Sequence, residues 1–305
     1  MKYFIDTEFI EGFHKPLFGK RRHFIDLISI GIKCEDGREY YAISKEFNYK
    51  DADEWVRKNV ILPIVQESVN KYNEQAKRLN MGFKDKPRHL DVSAITVVQK
   101  FEGKTNAQIA SDIVKFIFPS REECKIEDFR EYQKLYGGDN LQIWGYYADY
   151  DWVVFCSLFG RMIDLPKGFP MYCKDIKQLM DEVGLGVKWK RSHCPDPKGE
   201  HNALIDARWN KQLYDKIQQV KQEQESFEKI ALNLNRLAIQ PCTWLVKTQF
   251  GDLMVSKADK TQELFEYYLK SGFVKFPHIY PDEWFATRPQ RESEAGPFVS
   301  GKELY

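Results

Sequence analysis

The sequence predicts an α/β fold in which helices flank a mixed five-stranded sheet, followed by a small C-terminal α+β extension. Two observations indicate this fold. The chain opens with three strand-like segments in succession, and the segments that follow show apolar helical patterns and one further buried strand. The length of 305 residues is enough for one large domain and a smaller one.

Alternating and β-branched residues predict three strands at the start of the chain, over 3–7, 24–32 and 39–43. Asp36-Gly37 is a hairpin signal that joins the second and third strands. The segment 11–23 combines glycine and proline with many basic residues and is predicted to be a polar loop. The chain is therefore expected to open with an antiparallel meander.

Apolar residues at helical spacing predict the later elements, which are helices over 53–62, 106–118, 151–159, 175–183 and 203–220, and a strand over 141–146. Pro63 and Pro119 are expected to end the first two helices. Residues 66–104 are polar and weakly patterned, which predicts a surface insertion with some helix. We therefore expect one domain over 1–220 that carries this insertion.

The sequence does not indicate a role for residues 221–305. An apolar stripe over 227–237 predicts a helix that packs on the core or forms a homodimer contact. Two short strands are expected over 243–255 and a helix over 262–269, and residues 290–305 are polar. These patterns predict a small appended extension.

Bulk composition excludes several other classes of protein. Hydrophobic residues make up 43% of the chain and charged residues 30%, as in soluble globular proteins. The sequence contains no run of 18 apolar residues, so no membrane span is expected, and the first residues lack the pattern of a signal peptide. The six cysteines form no C-x-x-C pair, so we expect no zinc site and a reducing, cytoplasmic setting.

The formal net charge of +1 does not by itself indicate nucleic-acid binding. Two local clusters are strongly basic, namely Lys15, Lys20, Arg21, Arg22 and His23, and Lys188, Lys190, Arg191 and His193. One hypothesis is that at least one cluster contacts phosphates, with Arg21, Arg22, Lys190 and Arg191 as the candidates. The alternative is that both clusters are solvated loops.

Asp6 and Glu8 are the first candidate metal ligands. The period of two places both side chains on one face of the first strand, roughly 6.6 Å apart. Carboxylates at this separation can reach one cation or bridge two cations. The alternative reading is a strand with a polar, solvent-facing side.

Asp151 follows the strand predicted over 141–146 and is the next candidate ligand. Its position at the start of an apolar helix is also typical of an ordinary N-cap. Asp149 is a second candidate for the same role, but Asp151 has the better position at the start of the helix.

His201 and Asp206 form the last candidate pair. Asn202 is expected to cap the helix that starts at Ala203, which leaves His201 just outside the helix and Asp206 in its first turns. A carboxylate on a rigid helix suits a metal ligand, and an imidazole outside the helix suits a base that meets a water molecule. The alternative is a structural histidine.

The five residues together predict a metal site. Buried carboxylates cannot all remain ionised alone, so a converging cluster shifts its pKa values or binds cations. Oxygen ligands suit Mg²⁺ or Mn²⁺, and four carboxylates suit two such ions. This indicates a phosphoryl-transfer enzyme with two metal ions.

The order of these motifs resembles the DEDDh family of 3′-5′ exonucleases, whose sheet is ribonuclease-H-like. Phe4-Ile-Asp-Thr-Glu-Phe-Ile10, Leu27-Ile-Ser-Ile-Gly31 and Trp55-Val-Arg57 resemble more closely a small bacterial exoribonuclease subgroup known from mycobacteria. The resemblance implies that Asp6, Glu8, Asp151 and Asp206 hold two metal ions and that His201 is the general base.

The substrate contacts implied by this resemblance are less complete. Tyr147 stands where many relatives have asparagine, so the resemblance does not extend to the contact that this asparagine makes to the nucleotide. Phe9, beside Glu8, could stack on the terminal base or could belong to the core. The subgroup favours RNA with a free 3′ end, although DNA stays open. Two further alternatives are a non-catalytic binding module on the same fold and an endonuclease of the ribonuclease H type.

Overall fold

The computed structural model describes residues 1–14, 19–78, 91–120, 123, 141–236, 240–248, 251–257 and 278–281. The chain divides into two compact units, Met1–Lys216 and Ile217–Tyr305, and each is described by itself. The first unit contains a mixed five-stranded sheet with helices on both faces. The predicted α/β fold is therefore confirmed, and the arrangement is ribonuclease-H-like.

The sheet consists of β1 (Lys2–His14), β2 (Arg22–Cys34), β3 (Glu39–Ile43), β4 (Gln142–Gly145) and β5 (Lys174–Asp175). The strand order is β3-β2-β1-β4-β5. β1, β2 and β3 pair antiparallel, as the predicted meander requires, whereas β4 runs parallel to β1 and β5 runs parallel to β4. The carboxyl ends of β1 and β4 therefore lie at the same edge of the sheet.

The described helices are α1 (Glu54–Val56), α2 (Leu62–Arg78), α3 (Ile95–Phe101), α4 (Asn106–Ile117), α5 (Asp149–Ser157), α6 (Ile176–Glu182), α7 (Val187–His193) and α8 (Ala203–Arg236). On one face of the sheet, Tyr3 and Ile5 pack with α4 and α5 in a buried apolar cluster. On the other face, Ile10 and Ile28 pack with α2 and α3. The ring of Phe4, on this second face, lies 5.1 Å from that of Tyr214 in α8.

Gly31 explains how α8 approaches the sheet so closely. A Cβ atom at Gly31 would lie 2.1 Å from the carbonyl oxygen of Ala203 and 2.4 Å from the backbone nitrogen of Leu204. No other residue fits there, so the glycine allows the first turn of α8 to rest directly on β2. Gly31 is paired with Asp6 across the two strands, so this contact brings the start of α8 beside the first candidate ligand.

The prediction of a loop over 11–23 is wrong at both ends of that segment. β1 continues through His14, β2 begins at Arg22, and these two residues are paired. The outer parts of β1 and β2 are held by a hydrogen bond between Nε2 of His23 and a carboxylate oxygen of Glu11 at 2.8 Å, and by an edge contact between the rings of His23 and Phe13. These cross-strand contacts stabilise the pairing that the polar composition concealed. Residues 15–18 lie outside the described part of the chain.

Pro63 does not end a helix, contrary to the sequence-based prediction. It is the second residue of α2, which follows a π-helical turn over Arg57–Ile61. The helical run is continuous from Glu54, so Pro63 lies inside it, directly after the wider hydrogen-bonded turn of the π-helix. That irregular turn accommodates a residue that has no N–H and that would clash with the preceding turn of a regular α-helix. Within 66–104, Ile95 and Val98 of α3 are buried, so this part of the segment packs into the domain.

The second unit contains a three-stranded antiparallel sheet. Its strands are β6 (Gln240–Thr248), β7 (Gly251–Lys257) and β8 (His278–Pro281), in the order β7-β6-β8. The helix predicted over 203–220 continues to Arg236. The predicted helix over 262–269, the polar segment 290–305 and the side chains of the stripe over 227–237 lie outside the described residues. In the described part of the chain, no helix has both the length and the apolar character to span a membrane.

Candidate active site

Asp6 and Glu8 lie on β1 where its neighbour β4 has already ended. β4 pairs with β1 only at Lys2, Tyr3 and Phe4, so the strand beyond has a free edge towards α5. Glu8 is 9% exposed and Asp6 is half-buried. The two acids therefore lie at the edge of the sheet where the carboxyl ends of the parallel strands meet. The period of two predicted only that they share one face of β1.

Asp151 reaches this free edge from α5. Its Oδ1 accepts hydrogen bonds from the backbone N–H and from the hydroxyl of Thr7, each at 2.7 Å. Asp151 is only 8% exposed, whereas Asp149 is exposed, which favours Asp151 as the ligand. The N-cap of α5 is Ala148, so Asp151 lies inside the first turn and is not the capping residue.

His201 and Asp206 are positioned by the start of α8. The side-chain oxygen of Asn202 accepts hydrogen bonds from the backbone N–H groups of Leu204 and Ile205, so the predicted cap is confirmed. The amide of Asn202 also donates to Glu67 of α2 at 3.1 Å. The backbone N–H of His201 donates to Oδ2 of Asp206 at 2.8 Å.

The backbone of His201 has a positive φ of 70°. This left-handed conformation is uncommon outside glycine, although histidine adopts it more often than most residues. The hydrogen bond to Asp206 supports it and turns the chain into α8. His201 therefore lies just outside the helix with a fixed backbone, beside the carboxylate that the helix holds.

The ligand atoms of Glu8, His201 and Asp206 all lie within 4.8 Å of one another. Asp6 and Asp151 interact electrostatically with these residues, since the charge of Asp151 acts on Glu8 and the charges of Glu8 and Asp206 act on Asp6. Burial, then the charges of Asp206 and Asp151, raise the pKa of Glu8 to about 8. Burial, then the charges of Asp151, Glu8 and Asp206, hold the pKa of Asp6 well above its usual range. The structure thus brings Glu8, His201 and Asp206 together, and it places Asp6 and Asp151 close enough to interact electrostatically with this group.

The other two carboxyls are shifted in the same direction. Burial raises the pKa of Asp151 to about 6, although the hydrogen bonds from Thr7 oppose the shift. Burial also raises the pKa of Asp206 to about 6, against the bond from His201, with the charge of Glu200 adding to the rise. Buried carboxyls whose pKa values are raised in this way fit divalent cations, which favour the ionised form and accept oxygen and imidazole ligands.

Trp55 is a site residue that the ligand pattern did not indicate. Its ring meets the ring of His201 edge to face, with centroids 4.7 Å apart, and it is 51% exposed. Trp55 belongs to α1, far from His201 in the sequence, so no spacing rule connects them. Its only signal in the sequence is the resemblance of the segment Trp55-Val-Arg57 to the exoribonuclease subgroup.

Two other aromatic candidates lie near the start of α5. Phe9 is half-buried in the core and stacks on Tyr150, with centroids 5.8 Å apart and planes 12° apart. Tyr150 is half-exposed, so the pair has both a core side and a solvent side. Tyr147 is 61% exposed and has a positive φ of 54°, in a region where asparagine is more common than tyrosine.

The basic candidates separate into two groups. Lys190 is buried, forms an ion pair with Asp196, and lies over the rings of Tyr146 and Trp209. Its charge is therefore already paired, which favours a structural role over a phosphate contact. Arg191, next to it, is exposed. Arg21 and Arg22 are exposed at the outer end of the β1–β2 hairpin.

Comparison with known proteins places the chain in a family. A model of the 3′-5′ exoribonuclease Rv2179c-like domain matches residues 1–218, which include all five site residues. Two relatives from Mycobacterium tuberculosis strains H37Rv and CDC 1551 are named 3′-5′ exoribonuclease Rv2179c and 3′-5′ exoribonuclease MT2234.1. Each is 30% identical over 208 residues, covering 68% of this chain and 88% of the relative. The predicted exonuclease subgroup is thereby confirmed, and the chain belongs to the family of Rv2179c-like 3′-5′ exoribonuclease domains.

Proposed function

We propose that this chain is a metal-dependent 3′-5′ exoribonuclease that hydrolyses the last phosphodiester bond of an RNA strand and releases 5′-mononucleotides. The observation that carries the proposal is the convergence of Glu8, His201 and Asp206 within 4.8 Å. The family match over residues 1–218 supports the direction of cleavage, and the names of the two relatives support RNA over DNA.

The proposed cofactor is a pair of Mg²⁺ or Mn²⁺ ions, which Asp6, Glu8, Asp151 and Asp206 would hold. Carboxylate oxygens are the ligands that these hard cations prefer. When bound, such ions stabilise the negative charge that develops on the phosphate and on the leaving oxygen. The raised pKa values of the four carboxyls support the proposal, since a nearby positive charge would keep them ionised at neutral pH.

His201 is proposed to be the general base. Its imidazole lies beside the oxygens of Glu8 and Asp206, where an attacking water molecule would be positioned. In this role His201 takes the proton of the water as the new bond to phosphorus forms and the bond to the leaving 3′ oxygen breaks. Glu8 is proposed to accept a hydrogen bond from the 3′ hydroxyl of the terminal nucleotide, which would select strand ends.

Aromatic side chains are proposed to hold the terminal nucleotide. Trp55 offers a half-exposed ring directly beside His201. Phe9 stacks on Tyr150, which precedes Asp151 in α5, and Tyr147 lies just before the start of the same helix. Stacking on such rings tolerates any base, so we expect little sequence preference from these contacts.

A cleavage assay on 5′-labelled RNA and DNA tests this function. Each strand is offered single-stranded and with a 3′ overhang on a duplex, with Asp6→Ala as the inactive control. We expect a ladder of RNA that shortens one nucleotide at a time from the 3′ end. Internal fragments would instead indicate an endonuclease, and binding without cleavage would indicate a non-catalytic module.

A further inference from the structure

We propose that the outer part of the β1–β2 hairpin is an arm that binds phosphates of the RNA strand upstream of the scissile bond, through Lys20, Arg21 and Arg22. The basic arm is defined here as residues 9–14 and 19–27. The inference rests on the proposed function and adds to it a dependence on RNA length.

The basic arm starts directly at the active site. The arm begins at a register shift between Glu8 and Phe9 in β1. The last residue of β1 that pairs with β4 is Phe4, so the arm is paired with β2 alone. Ile10 and Leu27, at the base of the arm, are still buried in the core, and the arm becomes exposed from Glu11 outwards. It therefore extends from the part of the sheet that carries Asp6, so an RNA strand that runs along it would lead into the site.

The outer end of the arm is positively charged although the whole chain is nearly neutral. Lys20, Arg21 and Arg22 are exposed, and none forms an ion pair with a described residue. The acidic residues of the arm lie closer to the site. Glu11 is held by His23, and Asp26 is paired across the strands with Ile10. Three accessible cations without adjacent acids are suited to phosphate contacts.

The length of the arm sets the position of these contacts. His14, which is paired with Arg22 across the hairpin, lies six positions after Glu8. At the rise of a β-strand this is roughly 20 Å, or about six nucleotides of stacked strand at 3.4 Å each. A dinucleotide in the site would not reach the cations, whereas a strand of eight or more nucleotides would. The arm should therefore favour longer RNA.

The test compares kcat/KM on single-stranded RNA of 2, 4, 8 and 12 nucleotides. The variant is Lys20→Ala/Arg21→Ala/Arg22→Ala, and the matched control is Lys50→Ala/Lys115→Ala/Lys167→Ala, which removes three exposed lysines from other elements. In the wild type we expect kcat/KM to rise with length. In the arm variant the ratio of kcat/KM on the 12-mer to that on the dinucleotide should fall on the order of tenfold, and the control should keep the wild-type ratio.

Salt dependence gives a second readout. Each phosphate contact to a single strand contributes about 0.7 to the slope of log affinity against log salt, so the slope on the 12-mer should become shallower by about 2 in the arm variant. Three results would each overturn the proposal. The arm variant could keep the wild-type kcat/KM ratio and salt slope, it could lose the same fraction of kcat/KM at every RNA length, or the wild-type enzyme could show no preference for longer RNA. If the triple variant does not fold, Arg21→Glu replaces it.

The failure of the arm and the failure of the proposed function give different results. A wild-type protein that cleaves none of the four RNAs refutes the exoribonuclease. The arm is then judged by fluorescence anisotropy of the labelled 12-mer, where the arm variant must bind more weakly than the lysine control. Equal Kd values for the two variants would refute the arm as well.

Discussion

Thr7 donates both its backbone N–H and its hydroxyl to one oxygen, Oδ1 of Asp151, and each hydrogen bond is 2.7 Å long. If β4 continued alongside β1, one of its carbonyl oxygens would accept a hydrogen bond from the N–H of Thr7. The pairing of β1 with β4 ends at Phe4, however, so β4 does not reach this N–H. Asp151 therefore takes the place of the missing strand. The same contact satisfies a buried backbone donor and fixes a candidate metal ligand beside Asp6.

Replacing Thr7 with valine should weaken this arrangement. The change keeps the shape and the backbone hydrogen bond but removes the hydroxyl bond to Asp151. Loss of a partner that orients a metal ligand typically reduces metal affinity or activity by about 10- to 100-fold. We expect this loss as a shift of the Mn²⁺ concentration at half-maximal activity. Thr7→Ser, which keeps the hydroxyl, is the control, and equal metal dependence in both variants would contradict the role of Thr7.

Gly31→Ala should displace the first turn of α8 and with it His201 and Asp206. The new Cβ would meet backbone atoms of Ala203 and Leu204, which cannot rotate away as a side chain can. Overpacking of this kind costs about 1–3 kcal/mol of the free energy of unfolding, and a misplacement of about 1 Å at a catalytic group can cost 10²-fold in rate.

The control for this variant is Gly186→Ala. A Cβ at Gly186 meets nothing within 4 Å, and its φ of −96° suits alanine. Chemical denaturation measures the free energy of unfolding of both variants, and single-turnover cleavage measures their rates. A Gly31→Ala protein as active as Gly186→Ala would show that α8 need not touch β2 to form the site.

Without metal, the protein should lose stability as pH rises from 6 to 8. The pKa of Glu8 is about 8 in the folded protein and about 4.3 in the unfolded chain. Between these values the folded state binds more protons than the unfolded state, so the free energy of unfolding falls as pH increases. For Glu8 the loss between pH 6 and 8 is about 2 kcal/mol.

Thermal unfolding at pH 6 and pH 8, with EDTA or with Mn²⁺, checks this pH dependence. The stabilisation by Mn²⁺ should be larger at pH 8, where the cation relieves more repulsion between the carboxyls. Glu8→Gln removes the group with a pKa of about 8 and should flatten the dependence between pH 6 and 8. A metal-free protein whose Tm rises over this range would argue against a buried, uncompensated acid cluster.

Tyr147→Asn should stabilise the fold. Tyr147 has a φ of 54°, a left-handed conformation that costs an ordinary residue about 1–2 kcal/mol and that asparagine tolerates better. We expect a gain of about 0.5–1 kcal/mol in the free energy of unfolding, measured with urea. Tyr147→Phe keeps the strain and should show no gain. If Asn and Phe give the same stability, the backbone of Tyr147 is not strained.

The sequence predicted the part of the site that depends on local patterns. The alternation of β1 placed Asp6 and Glu8 together, and the expected cap at Asn202 placed His201 outside α8. The same alternation assigned Thr7 to the opposite face. Alternation does not describe the free edge of β1, where the backbone N–H of Thr7, which lies in the plane of the sheet, and the hydroxyl of Thr7 both reach Asp151.

Features that depend on tertiary contacts were beyond the sequence. The basic cluster that contains Lys190 suggested a solvated or phosphate-binding side chain. In the structure, the rings of Tyr146 and Trp209 and the carboxylate of Asp196 surround the ammonium group of Lys190. Trp55 meets His201 only because α1 and the start of α8 lie on the same face of the sheet. The basic arm was hidden because glycine and proline near its turn indicate a loop, whereas its strands are held by cross-strand pairs.

The most direct test of the central claim is the release of labelled mononucleotide from 3′-end-labelled RNA under single-turnover conditions. With Mg²⁺, the wild-type protein should release a labelled 5′-mononucleotide as its first product, and EDTA should abolish the release. Asp206→Asn should retain the wild-type circular dichroism spectrum and lose turnover. Activity that persists in EDTA, or a folded Asp206→Asn protein that releases mononucleotide at the wild-type rate, would contradict a metal-dependent site built from these carboxylates.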